Sequence, residues 1–328
     1  MLSVFLVSIR SVLIIITIIV IGFILEKINM FNASFSGNIS KLIINIALPL
    51  SIFLSTQKYI THDNIVILSY GTGLIMIAIL ICFLLSAIVS KLLNLPPQRT
   101  ALFINGFVNS NTLFVGLPLN IALFGNSSLP YFLAYFIANT IATWGIGVKI
   151  INNSSLSKSV SNNEGDSKSN RFLKILTPPM WGFMLGLIFF LFNLSLPDFL
   201  TTSFGYLSNL VTPLSLLFLG LVLGNTKLSK LKLESVDLFA QLGKFVISPL
   251  IMFLIIFISQ KLGFFYLNTT FKETLIIQSA TPMLTLLPML AEQAKLDVSF
   301  STRILTESIL IFPVIVVLLM TCFEVIPF

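Results

Sequence analysis

Two stretches of this chain carry polar side chains inside otherwise apolar runs. Residues 101–125 read ALFINGFVNSNTLFVGLPLNIALFG and hold Asn105, Asn109, Asn111 and Asn120, with Gly116 and Pro118. Residues 273–293 read ETLIIQSATPMLTLLPMLAEQ and hold Gln278, Ser279, Thr281, Pro282, Thr285 and Pro288. Proline has no amide proton and collides with the carbonyl four residues back, so an apolar helix kinks or breaks at Pro118 and at Pro282. A break inside hydrocarbon survives only where it is buried in protein or lines a wet cavity. Each restart is a helix N-terminus with free N–H groups and about half a positive charge. Two such termini, flanked by Asn, Thr, Ser and Gln, would hold a small carboxylate. The plainer reading also stands: prolines kink many membrane helices, and Asn serves as interhelical glue.

The elements that must position these residues follow from hydropathy. The chain is 56% hydrophobic and 9% charged, against roughly 25% charged residues in soluble domains. A membrane-crossing helix needs about 20 apolar residues. By that rule spans are expected at 3–25, 38–56, 64–92, 100–123, 129–151, 172–193, 199–223, 235–260, 270–291 and 299–323. Residues 152–170, rich in Ser, Asn, Lys and Gly, read as a flexible linker between spans five and six. The expected organisation is a first five-helix repeat over 1–151, a cytoplasmic linker over 152–171 and a second repeat over 172–328.

The two halves share a phrase. NIALPLS at 45–51 returns as NLVTPLS at 209–215, an offset of 164 residues that also carries Pro118 onto Pro282. Lys and Arg fix the orientation expected by the positive-inside rule. Thirteen lie in the odd-numbered loops and three, Lys58, Lys261 and Lys272, in the even-numbered ones. The odd loops are then cytoplasmic and both termini face outside. Five crossings per half make the second half enter from the opposite side, an inverted repeat of the kind found in secondary transporters. The fold class is therefore an all-α polytopic membrane protein, ten transmembrane helices in two inverted five-helix repeats, with broken helices four and nine crossing. Pro49 and Pro213 are expected to kink spans two and seven. Asn45, Ser51, Asn209, Thr212 and Ser215 would then point at the crossing or pack around the kinks.

Two charges fall within spans. Glu307 follows Arg303 by four residues and reads as half of an i, i+4 ion pair, or as a proton-coupling carboxylate. Lys244 reads as a lysine that snorkels toward the cytoplasmic interface, or as an attractor of the substrate anion. Cys82 and Cys322 have no metal-ligand spacing, and His62 sits in a short loop beside Asp63. No phosphate-binding GxxxxGK[ST] loop and no HExxH occurs. The bases between apolar runs suit a bilayer rather than nucleic acid. Neither an enzyme, a metal site nor a bound cofactor is expected.

NSNTLFVGLPL in span four, LTPPMWGFMLGL in span six, TPLSLLFLG in span seven and SATPMLTLLPMLAEQAKLD in span nine resemble the auxin efflux carrier family, whose bacterial members are described as malate permeases or organic-acid transporters. The resemblance covers the whole chain and implies a fold related to bile acid–sodium symporters. Spans 1, 2, 6 and 7 would form a scaffold, and spans 3–5 and 8–10 a transport domain. It implies elevator-type carriage of malate or a similar carboxylate across the plasma membrane. The substrate would be bound by Asn109, Asn111, Gly116, Pro118, Gln278, Thr281 and Pro282, with Asn45, Ser51, Thr212 and Ser215 on the scaffold side. It also implies a homodimer. Glu307, in LTESILIFP, stands where the family pattern has small polar residues, and acidic cation ligands have no counterpart at the crossing. Proton and sodium coupling therefore both stay open, as do an anion channel or uniporter of the same fold and an exporter of auxin-like indole acids.

Overall fold

The computed structural model describes residues 2–32, 34–62, 65–154, 178–225, 234–264 and 266–325. Most of the expected linker, from residue 155, lies outside them. Every regular element among the described residues is helical. In chain order they are α1 (Leu2–Lys27), α2 (Phe35–Tyr59), α3 (Ile65–Leu92), α4 (Pro97–Val108), α5 (Thr112–Phe124), α6 (Asn126–Asn153), α7 (Pro178–Leu191), α8 (Asp198–Asn225), α9 (Ser235–Lys261), α10 (Thr269–Ser279), α11 (Leu287–Gln293) and α12 (Val298–Val325). Six of them, α2, α3, α6, α8, α9 and α12, are long and apolar enough to cross a membrane.

The prolines act through a wider helical turn. Ile43–Ala47 in α2, Thr112–Gly116 in α5 and Gly243–Ile247 in α9 are π-helical. These turns end two residues before Pro49, Pro118 and Pro249 respectively. A π turn bonds i to i+5 and relieves the conflict between a proline ring and the preceding carbonyl without breaking the helix. The kink expected at Pro49 takes this form, and so does the one at Pro118. Pro118 therefore breaks nothing. In α8 the chain turns at Asn209–Leu210 instead, and Pro213 stands in the first turn of Val211–Asn225, where its missing N–H costs least.

Helix ends follow the usual left-handed stop. Asn29, Asn94, Asn193 and Lys295 have φ of 50–54°, each two residues past the end of α1, α3, α7 or α11. Asn tolerates this geometry best among residues with a Cβ, and the turn it makes closes the last carbonyls.

Contacts group the chain into two units, each drawing on both sequence halves. The first comprises Met1–Leu68, Leu113–Leu133 and Leu176–Leu228. In it α1 lies along the second half of α8 at glycine distance: a Cβ at Gly220 would strike the Ile19 carbonyl oxygen and the backbone of Phe23. Small residues permit this approach, which supplies the dispersion contacts that hold helices together in lipid. α7 packs on α2 in the same way, Gly182 against the Pro49 backbone.

The second unit comprises Ser69–Thr112, Ala134–Ile175 and Ser229–Phe328. One end of it is tied by charge. Arg99 at the start of α4 donates to Glu234 (2.6 Å) and Asp297 (2.7 Å), and Arg303 in α12 donates to Asp237 (2.7 Å) and Glu234 (2.9 Å). Glu234 and Asp237 also form the capping box of α9. Three helix starts are thus fixed to one another by two guanidinium forks, the geometry in which Arg–carboxylate pairs are strongest. The expected Arg303–Glu307 pair does not form. The Asp237 carboxylate, 1% exposed, accepts two bonds from Arg303 and draws it away along α9.

Asp297 lies in the turn before α12, outside the spans. Burial pushes its carboxyl up, but the Phe300 N–H, the Arg99 hydrogen bond and the charges of Arg99 and Arg303 outweigh this and hold it below its usual 3.8. A folded pKa below the unfolded one gives stability that is full above the unfolded value and is lost as pH falls through the folded one. Arg99→Gln should therefore lower the thermal midpoint at pH 7, and the gap to wild type should narrow below about pH 4. Thermal unfolding of the detergent-purified protein between pH 7 and pH 3 checks this.

Candidate functional site

Both polar stretches are interrupted helices, and within the second unit the interruptions meet. α4 ends at Val108, and the chain runs extended through Asn109 (φ −77°, ψ 127°) before helix resumes at Thr112. α10 ends at Ser279, and helix resumes at Leu287. Ser110 and Met283 form an antiparallel bridge, and the Asn111 N–H donates to Pro282 O at 2.8 Å. The break in span four thus lies at 109–111, seven or more residues before Pro118. It coincides with Asn-Ser-Asn, residues of low helix propensity, whose side chains bond other side chains here: Asn109 to Asn105, Asn111 to Thr285 and Ser110 to Lys244. In span nine Pro282 does lie in the break, and Pro288 opens α11. The two prolines that the 164-residue offset pairs therefore take different places, Pro118 inside the resumed helix and Pro282 in the break.

An interruption frees backbone groups, and polar side chains from three other helices take them. Asn139 in α6 brackets Ser110: its Nδ2 donates to Ser110 O (3.0 Å) and its Oδ1 accepts from Ser110 N (3.1 Å). It acts as a third strand one residue long. Ser308 in α12 accepts the Met283 N–H at 3.2 Å. Lys244 in α9 donates to Val108 O (3.1 Å) and to Ser110 Oγ (2.6 Å), and Tyr135 Oη lies 3.3 Å from the same hydroxyl. Lys244 is 0% exposed, so it does not snorkel. The α4 carbonyl end attracts a cation more strongly than the distant interface does.

The expected site residues fall in two sets. Asn109, Asn111, Gln278, Thr281 and Pro282 are brought together in the second unit, all buried. Asn109 Nδ2 donates to Asn105 Oδ1 (2.7 Å), and its own Oδ1 has no hydrogen-bond partner among the described residues. Asn111 Nδ2 bonds Thr285 Oγ1. Thr281 Oγ1 donates to Gln278 O at 2.9 Å, capping the end of α10. Glu307, 5% exposed, accepts from Gln241 Nε2 at 3.4 Å, and its Oε1 has no partner among the described residues.

Gly116, Pro118, Asn45, Ser51, Thr212 and Ser215 belong to the first unit. Asn45 is exposed and spends its amide on Lys41 O (2.9 Å), within its own helix. Ser51 and Ser215 are buried, and Ser215 Oγ has no partner among the described residues. Sequence reasoning missed Ser110, Asn139, Tyr135 and Ser308. Only Asn139, an amide in the middle of an apolar span, carried a signal for it.

Asn139→Leu keeps the volume but leaves the Ser110 N–H and C=O buried and unpaired. At about 1–3 kcal/mol per group, the two groups together should destabilise the protein by roughly 2–6 kcal/mol. Asn139→Gln, one methylene longer, should not restore wild-type stability. Denaturation in detergent micelles measures both.

A family model described as "Membrane transport protein" matches residues 7–320. An uncharacterized transporter of Methanothermobacter thermautotrophicus is 27% identical over 302 residues, covering 90% of this chain and 91% of that protein. An uncharacterized transporter of Methanocaldococcus jannaschii is 24% identical over 293 residues, covering 88% and 89%.

Proposed function

The chain belongs to the membrane transport protein family, that of the auxin efflux carriers, and on that premise we propose that it is a secondary carrier of small organic anions, malate or a similar carboxylate. It is a multi-pass membrane transporter and not an enzyme. The observation that carries the substrate class is the meeting of the two interrupted helices at Ser110 and Met283. Around it lie Asn109, Asn111, Gln278 and Thr281, neutral side chains whose N–H and O–H groups could exchange their present protein partners for a carboxylate, without the cost of stripping water from a second charge.

The carrier reading takes the ten spans as two inverted five-helix repeats, with both termini outside and the linker in the cytoplasm. The excess of Lys and Arg in the odd loops supports that orientation. The movement is of the elevator kind, with spans 1, 2, 6 and 7 as scaffold. The grouping of α1, α2, α7 and α8 in one contact unit supports this division, and that unit also takes in Leu113–Leu133, which the division would give to the transport domain. Gly116 and Pro118 then shape the resumed helix α5. Ser51, Thr212 and Ser215 stay candidates on the scaffold, while the exposed, self-bonded Asn45 is the weakest of the set. Glu307, released from Arg303 and buried beside Gln241, is the candidate for proton coupling.

Counterflow tests the reading. Proteoliposomes preloaded with unlabelled malate should take up labelled malate faster than empty ones, because a carrier exchanges without a net reorientation step. Equal rates with and without preloading would point to a channel. No uptake across a panel of mono- and dicarboxylates, indole acids included, would refute an organic-anion carrier. Asn109→Ala and Gln278→Ala should each cut uptake about tenfold, the equivalent of one hydrogen bond to a charged group. Unchanged uptake in both would remove the crossing as the substrate site.

A further inference from the structure

Lys244 sits midway along α9 within the π turn Gly243–Ile247, wholly buried. Its neighbour Gly243 lets α9 close on α4, since a Cβ there would overlap the Phe107 ring. That approach carries the Lys244 ammonium to the carbonyl end of α4, where Nζ meets Val108 O and Ser110 Oγ. No carboxylate pairs with it among the described residues. A buried ammonium without a counter-charge is costly, and helix-end carbonyls with a hydroxyl recover only part of that cost.

The partners that Lys244 does have are informative. A carbonyl at the C-terminal end of a half-helix, next to unwound backbone and a hydroxyl, is the oxygen set that carriers offer to a monovalent coupling cation near mid-membrane. Here the set is already taken by nitrogen. We propose that the Lys244 ammonium is a tethered cation that fills a coupling-ion position at the α4 terminus, so that the crossing needs no free sodium there. The cationic group stays with the protein through the cycle, and when protonated it places a positive centre beside the residues proposed to hold the carboxylate. The proposal deepens the carrier reading and rests on it for its functional meaning, although the occupied oxygen set can be tested without any transport.

If Lys244 stands in for an ion, removing its side chain should create a site for one. Purified Lys244→Ala should unfold about 5 °C or more below wild type in choline chloride. Ethylammonium or sodium at about 100 mM should then restore much of the loss, while shifting wild type by less than about 1 °C. Lys244→Met, which fills the space with an apolar chain, should show no recovery. An equal shift in wild type, or no recovery of Lys244→Ala with either cation, would overturn the proposal. Where the alanine variant does not fold, wild-type counterflow decides: equal rates in sodium and choline support it, and dependence on sodium overturns it. Absence of transport across the carboxylate and indole-acid panel would refute the carrier reading but leave the thermal result standing.

Discussion

A backbone that leaves helical geometry inside hydrocarbon must still bond every N–H and C=O that it frees, because lipid offers no partner and each orphan costs several kcal/mol. Much of the second unit can be traced to this constraint. Two helices stop in mid-course, at Val108 and Ser279, and their loose ends meet in one antiparallel bridge between Ser110 and Met283. The bridge leaves its outer edges unbonded. Asn139 covers one edge with an amide that mimics a peptide group, and Ser308 covers the other at the Met283 N–H. The carbonyl end of α4 receives an ammonium. Each of these polar residues would be a liability in an ordinary apolar helix, and each is placed where a freed backbone group needs it.

The same unit is fixed at one end by a different kind of interaction. Arg99 and Arg303 clamp the starts of α4, α9 and α12 through Glu234, Asp237 and Asp297. These forks stand at the helix starts, partly wet, where a salt bridge is modest in strength but geometrically demanding. They tie the start of α4 to the start of α9. Further along, Gly243 seated against Phe107 lets Lys244 reach the end of α4. A charged rim and a polar centre are thus joined in one unit, the first tying helix starts together and the second bonding the backbone that the interruptions free.

The helical, membrane-spanning character was legible in hydropathy. Helices lie over the apolar runs, because about 20 apolar residues have few other stable forms in a bilayer. The interruption of spans four and nine was legible as well, from their density of Asn, Gly, Thr and Pro. Its position in span four was not. Proline is the obvious breaker, yet Pro118 is accommodated by the π turn of Thr112–Gly116, and the break falls at Asn109–Ser110–Asn111. Side-chain partners were harder still. Arg303 and Glu307 are four apart on one helix, but the two-bond fork to Asp237, 66 residues away in sequence, wins. Lys244 has a stem long enough to reach the interface, and only the three-dimensional approach of α4 makes the inward direction the better one.

The central claim is that the two interruptions meet as antiparallel strands, and a cross-link tests it most directly. Opposed residues of such a pair have Cα atoms about 4.5–5.5 Å apart, within the range a disulfide spans. With Cys82 and Cys322 replaced by alanine, Ser110→Cys with Met283→Cys should form an intramolecular disulfide almost quantitatively under a membrane-permeant oxidant, read as a mobility shift or by mass spectrometry of the linked peptides. Moving the partner cysteine to Leu287, one helical turn beyond, should abolish it. A free thiol count unchanged by oxidation in the Ser110–Met283 pair would contradict the crossing, and with it the site built around it.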